Sequence, residues 1–272
     1  MRKRRWTKEE EDFLRRYYAT VPARNIGVLL GRSKKSVIHK ARGLGLLAVS
    51  RPLSYPRKIK EYLPSPDLAY IIGAVKGDGW ITLHRQKSGE THYSLAYIVG
   101  LVTKDYEFAE QFRKSICNVT GRMPKIMLLC QHRSSANPNG EIFRVVISDK
   151  SLFHLLSRPF EELKRYIEPY PTYFLRGFFD AEGSAWTVKR RNRSSEEFVV
   201  KFCNTDKGLL EYVRELLIRL KIYPAPKMFG TMGNLGVNRK KCYNLVIYRK
   251  NSVKRFMEVV GSSISRKRLV IS

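Results

Sequence analysis

Between residues 67 and 262 the apolar positions switch repeatedly between two periods. Helical spacing predicts helices over 67–77, 105–118 and from about 151, and again over 172–182, 206–220 and 251–260. Between them lie stretches predicted as strands: 80–86, 93–103, 124–131 and 142–148, then 184–191, 197–204, 226–230 and 242–248. In Tyr93–Thr103 the larger side chains Tyr93, Leu95, Tyr97, Val99 and Leu101 take every second position, as in a sheet covered on one face. The order helix, strand pair, helix, strand pair, helix occurs twice.

The two runs are related residue by residue. IIGAVKGDGW (71–80) aligns with LRGFFDAEGS (175–184), Asp105 with Asp206, Pro124-Lys125 with Pro226-Lys227, and FRVVISDKS (143–151) with YNLVIYRKN (243–251). Four matches in one order at a nearly constant offset point to a duplication with small loop insertions. Ahead of it the pattern predicts three short helices. Thr7 and Glu10 have capping-box spacing, with Trp6 before them and Phe13, Leu14 and Tyr17 after. Ile26, Leu29 and Leu30 follow a break at Val21-Pro22, and Ser33 caps a third helix from Lys34 to about Leu44. The prolines Pro52, Pro56 and Pro64 then mark an extended tether. The expected division is 1–47, a linker over 48–66, and halves at 67–165 and 166–272.

Charge narrows the partners. Among 272 residues, 52 Lys+Arg face 24 Asp+Glu, a net charge of +28, which excludes an ordinary neutral metabolic enzyme and favours a polyanion. The first 60 residues hold 17 of the basic residues and four of the acidic ones. A hydrophobic content of 43% excludes disorder. Cys117, Cys130, Cys203 and Cys242 form no CxxC pair, and they read as reduced thiols. No apolar run approaches the ~18 residues of a membrane span, and no signal-peptide pattern follows Met1. The expectation is a soluble, intracellular, nucleoid-associated protein with no membrane partner.

The candidate chemistry lies where each repeat opens. Gly73 and Gly77, like Gly177 and Ala181, are four apart, so each helix presents a small-residue stripe on which the other can pack. Directly after come Asp78-Gly79 and Glu182-Gly183, the glycines predicted as left-handed helix caps. A carboxylate at a helix C-terminus opposes the macrodipole at a cost of ~0.3–1 kcal/mol. Two brought to one seam also repel. A divalent cation removes both costs, and hard oxygen donors favour Mg²⁺, with Mn²⁺ as a substitute. Walker, GxGxxG, HExxH and GxSxG motifs are absent from the sequence.

At IIGAVKGDG (71–79) and LRGFFDAEG (175–183) the chain resembles the LAGLIDADG homing endonucleases of the single-chain, two-motif kind, over about residues 67–262. The resemblance implies two pseudo-symmetric αββαββα halves whose antiparallel sheets form a saddle on DNA. It implies a monomer that hydrolyses one phosphodiester per strand of a long, near-asymmetric double-stranded site. Asp78 and Glu182 would hold metal, with the Gly77 and Ala181 carbonyls as added ligands, and Lys150, Lys250 and Lys104 would assist. Lys76 departs from the acidic consensus at the sixth motif position. Residues 1–47 resemble a Myb/SANT-like helix-turn-helix, with Lys34, Lys35, His39 and Arg42 on its third helix. On the sheets, Arg85, Gln86 and Lys87 in one half and Lys189, Arg190, Arg191 and Arg193 in the other are the expected DNA contacts, and His132–Gly140 is a hairpin tip of the same type. The competing readings are a regulator of this fold that has lost cleavage, and a maturase that binds intron RNA.

Overall fold

The computed structural model describes residues 5–18, 23–46, 59–87, 93–130, 140–189, 196–232 and 241–271. The chain divides into two compact units, residues 1–60 and 61–272.

The first unit is three short helices: α1 (Lys8–Tyr17), α2 (Ala23–Leu29) and α3 (Lys34–Gly43). The Thr7 hydroxyl accepts from the Glu10 amide at 3.3 Å, and Glu10 accepts from the Thr7 amide at 3.0 Å, closing the capping box. Leu14, Tyr18, Ile26, Val37 and Ala41 are buried together. Arg32 pairs with Glu10 at 2.7 Å and lies 4.1 Å from the Trp6 ring centroid, tying the turn after α2 to the start of α1.

The second unit begins with α4 (Pro66–Lys76), β1 (Gly79–Lys87), β2 (Tyr93–Thr103), α5 (Tyr106–Thr120), β3 (Ile126–Cys130) and β4 (Glu141–Ser148). Then come α6 (Lys150–Leu156), α7 (Phe160–Ile167), α8 (Pro171–Glu182), β5 (Gly183–Val188) and β6 (Glu197–Asn204). The last elements are α9 (Lys207–Arg219), β7 (Phe229–Met232), β8 (Lys241–Ile247) and α10 (Lys250–Val259). The strands form two antiparallel sheets of one topology, β1-β2-β4-β3 and β5-β6-β8-β7. The mixed α/β architecture of two pseudo-symmetric halves is thus as the repeats predict. Pro159 separates α6 from α7, where the sequence pattern suggested one closing helix, and position 165 lies inside α7. No helix among the described residues is long and apolar enough to cross a membrane.

Both sheets pack their inner faces on one core whose centre is the α4–α8 pair. Val99, Leu101, Val145 and Ile147 point inward from the first sheet, and Phe198, Val200, Phe202, Leu245 and Ile247 from the second. The pair is close because of its glycines. A Cβ on Gly73 would stand 2.2 Å from the Phe174 carbonyl oxygen, and one on Gly177 2.2 Å from that of Tyr70. Gly79 and Gly183 work the same way and not as left-handed caps, because no positive φ occurs at either. Gly183 leaves α8 in extended backbone, and a Cβ there would lie 2.0 Å from the Phe179 ring. Space, not φ, requires glycine at these positions.

The cysteine reading needs one correction. Cys203 on β6 and Cys242 on β8 are joined by a disulfide between neighbouring strands, with Cα atoms 6.4 Å apart. Cys117 is free. Sheet register, not CxxC spacing, brings the two sulfurs together across 39 residues.

Gly73→Val should cost about 3 kcal/mol or more of unfolding free energy in urea melts, since the new side chain meets backbone that cannot rotate away. Gly208→Ala, where the methyl meets only an ordinary 3.5 Å contact, should leave stability unchanged or raise it.

Candidate active site

The tight crossing brings the C-terminal ends of α4 and α8 to one seam. Ser65 and Pro66 start α4, the Ser65 hydroxyl accepting from the Leu68 amide at 3.2 Å. Pro171 starts α8. The two helices, 11 and 12 residues long, end at Gly77-Asp78 and Ala181-Glu182. There a Cβ on Gly77 would lie 2.3 Å from the Ala181 Cβ and 3.0 Å from the Glu182 Cγ, so the backbone before Asp78 abuts the side chain of Glu182.

The electrostatics carry the marks of this crowding. Desolvation pushes the Glu182 carboxyl up to about 7, Asp78 adds repulsion, and the Asn204 amide and Lys267 pull it back. The Asn204 Nδ2 donates to Glu182 Oε1 at 2.7 Å. Desolvation likewise raises the Asp78 carboxyl, although part of that residue faces solvent; Lys267 lowers it and Asp105 raises it. Asp78 opens into a 430 Å³ cavity lined also by Thr103, Lys104, Asp105, Ala181, Arg266 and Lys267. Lys267 is buried, and its desolvation pushes the ammonium down to about 8 against the opposing pull of Asp180.

Of the expected assisting lysines, the fold brings Lys104 to this cavity and does not bring Lys150 or Lys250. Thr103 pairs with Phe143 and Ile98 with Ser148, so β4 starts near the seam and runs away from it. Lys150 follows the far end, about 16 Å along the strand at ~3.3 Å per residue, where it lies over the Tyr97 ring. Lys250 follows β8 in the same way and lines a separate cavity with Lys221, Arg249 and Arg255. Lys104 corresponds in register to Thr205, and Thr103 to Asn204, so the two carboxylates have unlike neighbours.

The expected DNA contacts are also redistributed. Trp80, Thr82 and His84 share the sheet face opposite the core, whereas Arg85, paired with Leu95, has the parity of core-packed Ile81. Gln86 and Lys87 end β1 opposite Ser94 and Tyr93. Lys189 is exposed and pairs with Glu196 at 2.9 Å. Arg190, Arg191 and Arg193, residues 132–139 of the hairpin tip and most of the 48–66 linker lie outside the described residues. On α3, Lys34, Lys35, His39 and Arg42 are all exposed.

Sequence reasoning missed four residues at the seam: Asn204, Asp180, Arg266 and Lys267. Asp180, 2% exposed, accepts from Tyr70 Oη at 2.7 Å, from Ser262 Oγ at 2.5 Å and from the Ser263 amide at 3.0 Å. It is thus a structural anchor at the sixth motif position, where α4 carries Lys76. Lys76 only leans over the Phe160 ring at 5.8 Å. The partners of Lys267 are 87 and 88 residues away, so the charged run Ser265–Arg268 gives no local signal of burial.

A model of the LAGLIDADG-like domain matches residues 169–261. Uncharacterized protein MJ0398 of Methanocaldococcus jannaschii is 33% identical over 218 residues, which span 78% of this chain and 72% of the relative. Among solved structures, I-DmoI in complex with DNA and Mn aligns with a TM-score of 0.49 at 19% identity, over 73% of this chain and 98% of that one. The LAGLIDADG homing endonuclease I-GzeII in complex with its DNA target aligns with a TM-score of 0.43 at 10% identity, over 72% of this chain and 84% of that one. Residues 169–261, which hold the second motif helix and its sheet, therefore carry a LAGLIDADG-like domain, and the first half repeats its element order.

Proposed function

We propose that the chain is a site-specific endonuclease that hydrolyses one phosphodiester in each strand of double-stranded DNA. The observation that carries the reading is the pairing of Asp78 and Glu182 at the α4–α8 seam, where Glu182 is driven up to about 7 by desolvation and by its neighbour. Such an arrangement destabilises the metal-free site and suits one that works with a cation bound.

The donor set fits a hard divalent ion: the Asp78 and Glu182 carboxylates, with the main-chain carbonyls of Gly77 and Ala181 directly before them in the chain. No group of three or more acidic, His or Cys side chains that could hold a metal occurs among the described residues. A site of this kind leaves room for waters and phosphate oxygens, as Mg²⁺ and Mn²⁺ require. When bound, such an ion supplies a more acidic water and a counter-charge for the leaving oxygen. The chain's own residues do the rest. Asp78 and Glu182 hold the ion, Asn204 fixes the rotamer of Glu182, and Lys104 places a cation at the cavity wall. His84, Thr82 and Trp80 present the outer sheet face to the duplex. Lys34, Lys35, His39 and Arg42 extend the footprint, with residues 1–47 acting as a DNA-binding domain joined through 48–66 to the halves at 67–165 and 166–272.

Incubating the full chain with a randomised DNA library and Mg²⁺ should yield a discrete double-strand cut. Asp78→Asn and Glu182→Gln should each lower its rate by roughly a thousandfold while retaining DNA binding in Ca²⁺. Cutting by Asp78→Asn at the parent rate refutes the mechanism. Deleting residues 1–47 should weaken binding and flatten its dependence on log[salt], with cutting preserved at high protein concentration. The raised Glu182 carboxyl fixes a pH effect as well. The folded chain keeps a proton that the unfolded chain releases from its ordinary value of 4.5. Metal-free stability should therefore fall as pH rises from about 4.5 to about 7, and Mn²⁺ affinity should rise over the approach to 7, measured by thermal melts and calorimetry.

A further inference from the structure

We propose that Lys267 is a positioning residue for the end of α8 that carries Ala181 and Glu182, and that residues 262–268 form a strap belonging to the cleavage apparatus. The inference rests on the endonuclease reading above. The strap is anchored at both ends. At one end Ser262 and Ser263 bond the buried Asp180 carboxylate on α8, which also holds Tyr70 of α4. At the other, Arg266 grips Asp105 through Nε at 2.8 Å and Nη2 at 2.7 Å, while the Ser265 amide donates to Glu107 at 2.6 Å. It therefore runs from the second motif helix to the β2–α5 junction of the other half.

Directly after the second anchor, Lys267 is only 4% exposed. Its Nζ donates to the Phe179 carbonyl at 3.1 Å and to the Asp180 carbonyl at 2.7 Å. Carbonyls in the last turn of a helix are short of intrahelical donors, and a cation there is favoured by the macrodipole. The turn that Lys267 holds ends in Ala181 and Glu182. Ala181 lines the same cavity as Asp78, Lys104 and Lys267 itself. A shift of this turn changes where the Ala181 carbonyl and the Glu182 carboxylate stand relative to Asp78. The ammonium has three donors and spends two on the helix. The first motif helix differs at the matching position, where Lys76 leans over the Phe160 ring and α8 carries the buried Asp180. The two half-sites thus differ in support, and a change at Lys267 falls unequally on the two strands.

The test uses full-chain parent, Lys267→Met and Lys267→Arg, with a supercoiled plasmid carrying a site that the parent cuts. Strand-specific rates are read at saturating protein in Mg²⁺, binding in Ca²⁺, and hydrogen exchange at the Glu182 and Gly183 amides without metal. Lys267→Met should slow one strand roughly tenfold more than the other, so nicked circles accumulate, with binding within about twofold of the parent. Exchange at the end of α8 should quicken, and Lys267→Arg should recover most of both effects. If Lys267→Met does not fold, Ser263→Ala, which loosens one anchor and keeps the lysine, should shift the strand ratio in the same direction. An unchanged strand ratio with unchanged exchange overturns the inference, as does a parallel loss on both strands that tracks loss of folded protein. Absence of any cut by the parent sinks the endonuclease reading, and the exchange measurement then decides the positioning claim alone.

Discussion

The rest of the structure depends on backbone-to-backbone contact between two helices. Gly73 faces the Phe174 carbonyl and Gly177 faces that of Tyr70, at a separation that admits no side chain. This contact sets the axis about which the halves repeat, and it brings both helix C-termini to one place. The apolar side chains around it, Ile71 and Ile72 on one helix and Phe178 and Phe179 on the other, hold the crossing through burial. Carboxylates that follow the last turns must then share a small volume, whatever that costs.

The cost is visible in the groups that offset it. Lys267 and Asn204 both lower the proton affinity of Glu182, and Lys267 does so for Asp78. The offset is incomplete, since Glu182 still stands at about 7. A positive charge bound at the seam would complete it. The basic excess of the whole chain would act differently, at long range on any polyanion, while the seam concentrates the opposite charge at one point.

Several of these features are legible in the sequence because they are local or periodic. The motif pair, the capping box at Thr7 and Glu10, and the strand alternation all lie within windows of about a dozen residues. The fold class follows from their repetition. What escapes reading depends on register and distance. Lys150 and Lys250 follow strands whose direction, fixed by pairing with β2 and β6, carries them away from the seam. Arg85 falls on the face opposite to His84 because side chains alternate. The disulfide joins residues 39 apart, and Lys267 reaches carbonyls 87 and 88 positions away. Gly79 and Gly183 show a subtler limit. A glycine after a helix suggests a φ requirement, whereas here the neighbouring side chains leave no room for a Cβ.

We propose above all that the seam of α4 and α8 is a cation site. Anomalous diffraction at the manganese edge, from crystals of the full chain with the DNA it cuts and Mn²⁺ at a concentration that supports cutting, tests it most directly. The account predicts anomalous density against the carboxylate oxygens of Asp78 and Glu182, beside the Gly77 and Ala181 carbonyls. Manganese bound elsewhere on the protein, with none at the seam, would contradict it.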